Sequence, residues 1–95
     1  MNIQHNLTGT KGKFFVNEDG SKDTAVMTYV YADAKTIIID HTEVDDVHKG
    51  QGIGVQLLKA AVEMARRDGL KIIPLCPFAK SVFDKKPEYA DVLAS

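Results

Sequence analysis

The apolar positions of the chain change period along its length. Between Lys13 and Val44 they alternate as strands do, from Gln51 to Asp68 they recur as on a helix, and from Leu70 a shorter strand and helix follow. Lys13-Phe14-Phe15-Val16-Asn17 predicts a first strand. Glu18-Asp19-Gly20-Ser21 supplies turn chemistry, and Thr24 to Tyr31 predicts a second strand. Phe14, Phe15, Tyr29 and Tyr31 match strand spacing and read as core and cross-strand packing. The short turn Ala32-Asp33-Ala34-Lys35 makes the third strand, Thr36 to Val44, antiparallel to the second, so the three form a meander. The N-terminal Met1 to His5 reads as a loose terminus, and His5 is given no role.

The helix is the clearest element. Ile53, Leu57, Leu58, Ala61, Val62 and Ala65 fall on one face, while Gln56, Lys59, Glu63, Arg66 and Arg67 fall on the other. Glu63 and Arg67 are spaced as an i,i+4 pair, Arg66-Arg67 reads as a solvated helix end, and Gly69 is placed to end the helix. Leu70 to Leu75 predicts a buried strand. A helical crossover makes it parallel to the third strand. Cys76-Pro77 opens a second helix that runs to about Lys86 and stops before Pro87, and Glu88 to Leu93 adds a further turn.

Ninety-five residues with 44% hydrophobic and 26% charged side chains fit one small globular domain, residues 1–95. A net charge of −1 gives no electrostatic case for nucleic acid or an anionic membrane. One cysteine excludes an internal disulfide and a multi-cysteine zinc site, so no metal is expected. No apolar run is long enough to span a membrane and no signal peptide is visible, so the expected location is the cytoplasm. A monomer or weak homodimer is expected.

The chemistry concentrates in Val44-Asp45-Asp46-Val47-His48-Lys49-Gly50-Gln51-Gly52-Ile53-Gly54, which joins the third strand to the helix. The first turn of a helix has N–H groups without intrahelical partners and a partial positive charge. Glycines at 50, 52 and 54 let a bulky anion approach that backbone, which makes a phosphate cradle. A P-loop is excluded, because no segment has its spacing of glycines and lysine. The dinucleotide fingerprint G-x-G-x-x-G fails at Val55.

Lys49-Gly50-Gln51-Gly52-Ile53-Gly54 resembles the acetyl-CoA-binding motif of the GNAT acetyltransferase superfamily, Arg/Gln-x-x-Gly-x-Gly/Ala, with Lys49 in the first place. The likeness extends over residues 36–86 in strand–loop–helix–strand–helix order. It implies a mixed α/β sheet with the GNAT-like acyl-CoA N-acyltransferase fold and acetyl-CoA as cosubstrate. Lys49, Gly50, Gln51, Gly52, Ile53 and Gly54 would hold the pyrophosphate, while Thr42 and Val44 would flank the pantetheine arm.

The same likeness exposes a departure. The superfamily pattern Asn-x-x-Ala-x-x-Leu-Tyr, whose tyrosine supplies a proton, here reads Cys76-Pro77-Phe78-Ala79-Lys80-Ser81-Val82-Phe83. Phe83 has no proton to give. Cys76, at a helix N-terminus that favours a reactive thiol, is the candidate acid or acyl acceptor. His41 and Glu43 are candidate bases. They share one face of a regular third strand, with Asp40 and Thr42 on the other. Tyr89 is the remaining hydroxyl that a folded-back tail would bring in. The superfamily usually carries helices between its first two strands that form part of the acceptor site, and here only Glu18 to Asp23 separates those strands. The expected function is therefore acetyl transfer from acetyl-CoA to an amine, an open acceptor site suiting a protein or peptide lysine. The alternative is an acyl-CoA-binding module without catalysis.

Overall fold

The computed structural model describes residues 2–17, 23–45 and 50–94. Its strands are β1 (Gln4–Thr8), β2 (Lys11–Val16), β3 (Ala25–Asp33), β4 (Thr36–Val44) and β5 (Lys71–Pro74). They lie in that order in one sheet, antiparallel as far as β4, with β5 parallel to β4. Helix α1 (Ile53–Asp68) links β4 to β5; α2 (Pro77–Lys85) and a 3-10 helix (Pro87–Val92) follow. The expected meander and crossover are present, and Gly69 ends α1 at φ 70°. The expected Glu18–Ser21 turn lies outside the described residues.

Two expectations are corrected at the N-terminus. The strand expected at residues 13–17 is present as β2, Lys11–Val16, but it is not the first: before it runs β1, paired Gln4↔Phe15 through Thr8↔Lys11. Every β1 residue is exposed, so its sequence lacks the apolar alternation by which a half-buried strand announces itself. His5 is nevertheless tied down: its ring stacks 4.2 Å from Phe14, and its Nε2 lies 2.6 Å from the Tyr29 hydroxyl.

Alternate residues of the sheet bury one face against α1 and the tail. Phe14, Val16, Ala25, Met27, Tyr29, Ile37, Ile39 and Ile72 meet Leu57, Leu58, Ala61 and Val62 of α1, with Ala79, Val82 and Phe83 of α2 in the same core. Burying a side chain of this size contributes about 1.5–3 kcal/mol. β5 is not buried on both sides as its composition suggested. Ile72 is inside, but Ile73 is 37% and Leu75 67% exposed. Arg66 and Arg67 also do more than face solvent. Arg66 makes two 2.9 Å bonds to Asp91 and one to the Glu88 carbonyl, while Arg67 pairs with Asp68 and not Glu63.

One irregularity decides the geometry of the site. Thr28 pairs with His41 and Tyr29 with Ile39, so Asp40 is an extra residue, a β-bulge. Ile37 and Ile39 point into the core, and the bulge resets the alternation so that Thr42 and Val44, opposite buried Met27 and Ala25, do the same.

Candidate functional site

β4 and β5 part company just past the bulge. Their last pair is Ile39↔Pro74, and the Ile39 carbonyl accepts from both the Leu75 and Cys76 N–H groups, at 3.0 and 3.1 Å. From there β5 turns into α2 while β4 continues to Val44. The Asp45 N–H donates to the Thr24 carbonyl at 2.9 Å. By the period of two, the backbone N–H and C=O groups of Thr42 and Val44 therefore point away from β3, into the gap.

On the helix side, the gap opens into a cleft of ≈ 380 Å³ lined by Thr42, Val44, Gly50, Gly52, Ile53, Gly54, Val55 and Phe78. Of the residues expected to hold the cosubstrate, Thr42, Val44, Gly50, Gly52, Ile53 and Gly54 therefore meet in one place. Gln51 is exposed between two of them, and Lys49, with His48, lies outside the described residues.

The glycines divide the work differently from the sequence reading. Gly50 and Gly52 have φ of 84° and 77°, where a side chain would be strained, and a Cβ at either would meet nothing within 4 Å. These two shape the turn and leave open space over it. Gly54 is needed for another reason: a Cβ there would lie 2.6 Å from Cζ of Phe78. Phe78, missed in the sequence, is a wall of the cleft because α1 comes this close to α2. Its only sequence signal was a bulky residue just after a helix-opening proline.

The N-terminus of α1 is prepared for an anion. Its N-cap, Gly52, makes no side-chain cap, and the first turn contains no acidic residue. The Gln56 N–H bonds the Gly52 carbonyl at 3.1 Å, so the N–H groups of Ile53, Gly54 and Val55 precede the first intrahelical bond. Most helices satisfy such groups with a Ser, Thr, Asp or Asn cap; here they face the cleft. A phosphate group fits this donor set.

The candidate catalytic residues sit on both sides of the gap. Cys76 is the N-cap of α2 and 7% exposed; its Sγ accepts from the Ala79 N–H at 3.4 Å and lies 3.4 Å from Oγ1 of Thr42. His41 and Glu43 share a face as expected, Nε2 to Oε2 3.2 Å, on the open side of the sheet. Asp40 is the correction. It joins them there, accepting from the Thr28 hydroxyl at 2.6 Å, because the bulge breaks the alternation that set it beside Thr42. The structure thus brings Cys76 to Thr42 and leaves His41 and Glu43 on the opposite face.

Phe83 is a core residue, packed edge-on at 6.3 Å from Tyr89. The tail does fold back, but Tyr89 lies under the Arg66 guanidinium, 5.8 Å from its ring. Arg66 is thirteen residues beyond Ile53, or about 20 Å along α1. Tyr89 therefore does not restore the missing hydroxyl at the cleft.

Comparison with known proteins follows the same lines. A family model described as GCN5-related N-acetyl-transferase matches residues 13–92. The chain is 35% identical over 75 residues to Protein NATD1 of Xenopus tropicalis, covering 79% of this chain and 69% of that protein. It is 32% identical over 87 residues to Protein NATD1 of Danio rerio, covering 92% and 77%. The solution structure of a GCN5-like protein from Staphylococcus aureus matches 99% of this chain and 90% of its own, with TM-score 0.78 and 41% identity. An aminoglycoside N-acetyltransferase solved in complex with CoA is similar in fold, with TM-score 0.58 and 12% identity over 82% of this chain and 67% of that one.

Proposed function

The chain belongs to the GCN5-related N-acetyltransferase family, and from that premise we propose that it binds acetyl-CoA in the cleft and transfers the acetyl group to an amine. We read residues 1–95 as one acetyl-CoA-binding domain working in the cytoplasm. The observation that carries the proposal is the coincidence of an uncapped, acid-free helix N-terminus with a strand gap, both opening into one cleft.

The assignments follow from where each group points. The N–H groups of Ile53, Gly54 and Val55, ahead of the α1 ladder, hold the pyrophosphate, with Gly50 and Gln51 in the turn before them and Lys49 preceding these in the sequence. Thr42 and Val44 flank the pantetheine arm, and their gap-facing N–H groups stabilise the oxygen that becomes negative as the amine attacks the thioester carbon. His41, held by Glu43, takes the proton that the amine sheds. On the other side, the Cys76 Sγ accepts from Ala79 N–H, which leaves its own proton free to pass to the departing thiolate; water then replaces it. Base and acid thus act from opposite faces, with the scissile bond between them.

Calorimetry with acetyl-CoA tests the binding claim, and its absence at submillimolar concentration defeats the proposal. Thiol release across an amine and peptide panel tests the transfer. Phe83, buried where the superfamily carries its proton-donating tyrosine, favours one second reading, an acyl-CoA-binding module. That reading is the outcome if acetyl-CoA binds and no amine releases thiol.

A further inference from the structure

The face of the sheet turned away from the helices carries a second cavity, of ≈ 430 Å³, lined by Asn6, Thr8, Lys11, Gly12, Lys13, Thr28, Tyr29, Val30 and Asp40. Asp40 is the bulge residue where β4 leaves β5, so one wall of this cavity stands at the mouth of the gap, beside His41 and Glu43. We propose that this cavity receives the acceptor as a peptide: a lysine side chain enters at Asp40, and an acidic residue of the same peptide lies against Lys11. The inference rests on the acetyl-transfer reading and adds the substrate class to it.

Three observations carry it. First, the packed core lies on the other face, so Asn6, Thr8, Lys11, Thr28 and Asp40 line a surface that no described element covers, wide enough for an extended chain. Second, its charges are separated by sign. Asp40 of β4 is the acidic residue of its lining, while Lys11 and Lys13 of β2 line the side two strands away. Lys13 is engaged by Asp23 at 3.3 Å and lies 4.6 Å over the Phe15 ring. Lys11 has no such partner among the described residues, which leaves it to pair with a ligand.

Third, the spacing selects a length. Lys11 sits opposite Val30, and Val30 opposite Ile38, so Lys11 and Asp40 lie two strands apart, on the order of 10 Å between backbones. An amino acid holds its amine and carboxylate far closer than that. A lysine side chain and a glutamate two residues along an extended peptide reach both ends.

The test uses three capped pentapeptides, each with one lysine and, two positions later, a glutamate, a glutamine or a second lysine. Mass spectrometry gives kcat/KM for each with acetyl-CoA. The glutamate peptide is expected to exceed the glutamine peptide by about threefold, the scale of one exposed ion pair. Lys11→Glu is expected to invert the order, a swing of roughly tenfold in the glutamate-to-lysine ratio. In parallel, the glutamate peptide added to the protein with CoA should shift the amide resonances of Asn6, Thr8, Lys11, Thr28 and Asp40. Equal rates for the three peptides, a ratio indifferent to Lys11→Glu, or shifts confined to the helix face each overturn the inference while leaving acetyl transfer intact. If acetyl-CoA neither binds nor reacts, the catalytic reading fails. Charge-dependent shifts on the sheet face would then still establish the peptide site, and their absence would remove it too.

Discussion

Gly54→Ala separates the fold of this protein from its ligand chemistry. The added Cβ would sit 2.6 Å from Cζ, 3.0 Å from Cε2 and 3.3 Å from Cε1 of Phe78. Carbon contacts settle near 3.5–4.0 Å, so the ring must retreat by about 1 Å. Phe78 is 37% exposed and has room to do so. Overpacking costs about 1–3 kcal/mol, while alanine in place of a helical glycine returns about 0.5–1 kcal/mol. The net loss is about 0–2.5 kcal/mol, or roughly 0–20 °C in Tm for a chain of this size. Binding should suffer more. Phe78 is a wall of the ≈ 380 Å³ cleft. A ring moved into it displaces the volume of a methylene or two, which at about 0.8 kcal/mol each is roughly 1–1.5 kcal/mol, near tenfold in Kd. The assay is a double-mutant cycle by calorimetry with acetyl-CoA. Gly54→Ala is expected to weaken binding about tenfold in the native background and less than about threefold beside Phe78→Ala, where no ring remains to be moved. An equal loss in both backgrounds refutes the steric reasoning, and full affinity in Gly54→Ala removes the cleft from the binding site.

Cys76→Ser keeps an N-cap acceptor for Ala79 N–H, so its Tm should match the parent while thiol release falls at least about tenfold; Cys76→Ala should lose the cap as well, about 1 kcal/mol by urea unfolding. Deleting Asp40 removes the bulge yet preserves the inward alternation of Ile39, Thr42 and Val44, so a folded protein with its cleft narrowed, and weaker acetyl-CoA binding by calorimetry, is expected. Partial desolvation of the ring where it stacks on Phe14 and meets Tyr29, with Arg67 adding to it, holds the His5 imidazole below its ordinary 6.5. The unfolded chain then binds the extra proton, so the contribution of this neutral ring is full above 6.5 and declines as pH falls below it, a decline that His5→Phe should abolish in thermal melts. Burial first, then Tyr31 and Asp68, pushes the Tyr29 hydroxyl up to about 12 from 10.0, so its contribution is full below 10.0 and is lost as pH rises through about 12, which phenolate absorbance should follow.

What was legible in the sequence is what local periodicity writes. β4 begins and ends where its β-branched run does, and α1 buries the stripe from Ile53 to Ala65 because those residues share one side at 3.6 residues per turn. The Lys49–Gly54 segment was legible as a place in chain order, and its described part does open into a cleft. β1 was invisible because an exposed edge strand needs no apolar alternation, although Gly9, at φ 62°, stands where a two-residue hairpin loop takes positive φ. The Thr42–Cys76 contact and the Phe78–Gly54 packing join residues 34 and 24 positions apart, and no local pattern encodes such pairs. The face assigned to Asp40 failed for a different reason. Alternation by two was assumed through a strand that contains one residue too many.

That extra residue does two jobs at once, and they depend on each other. A regular strand reaching Val44 with the alternation of Ile37 and Ile39 would send His41 and Glu43, two charged or polar side chains, into the core. Such burial without partners costs several kcal/mol, so the sequence from His41 onward is compatible with this sheet only if one residue is inserted ahead of it. The insertion bends β4 at the point where the Ile39 carbonyl takes two bonds from Leu75 and Cys76, just past the end of β5. The strands therefore separate there, and the backbone of Thr42 and Val44 has no neighbour on that side among the described residues. Unpaired strand backbone on an edge is a liability that proteins ordinarily cover. Here it faces a cleft whose other wall is an uncapped helix N-terminus, and a ligand with amide groups and a diphosphate answers both needs. The same bulge sets Asp40, His41 and Glu43 on the open face, so the polarity that forces the gap is also the polarity that meets an amine arriving through it.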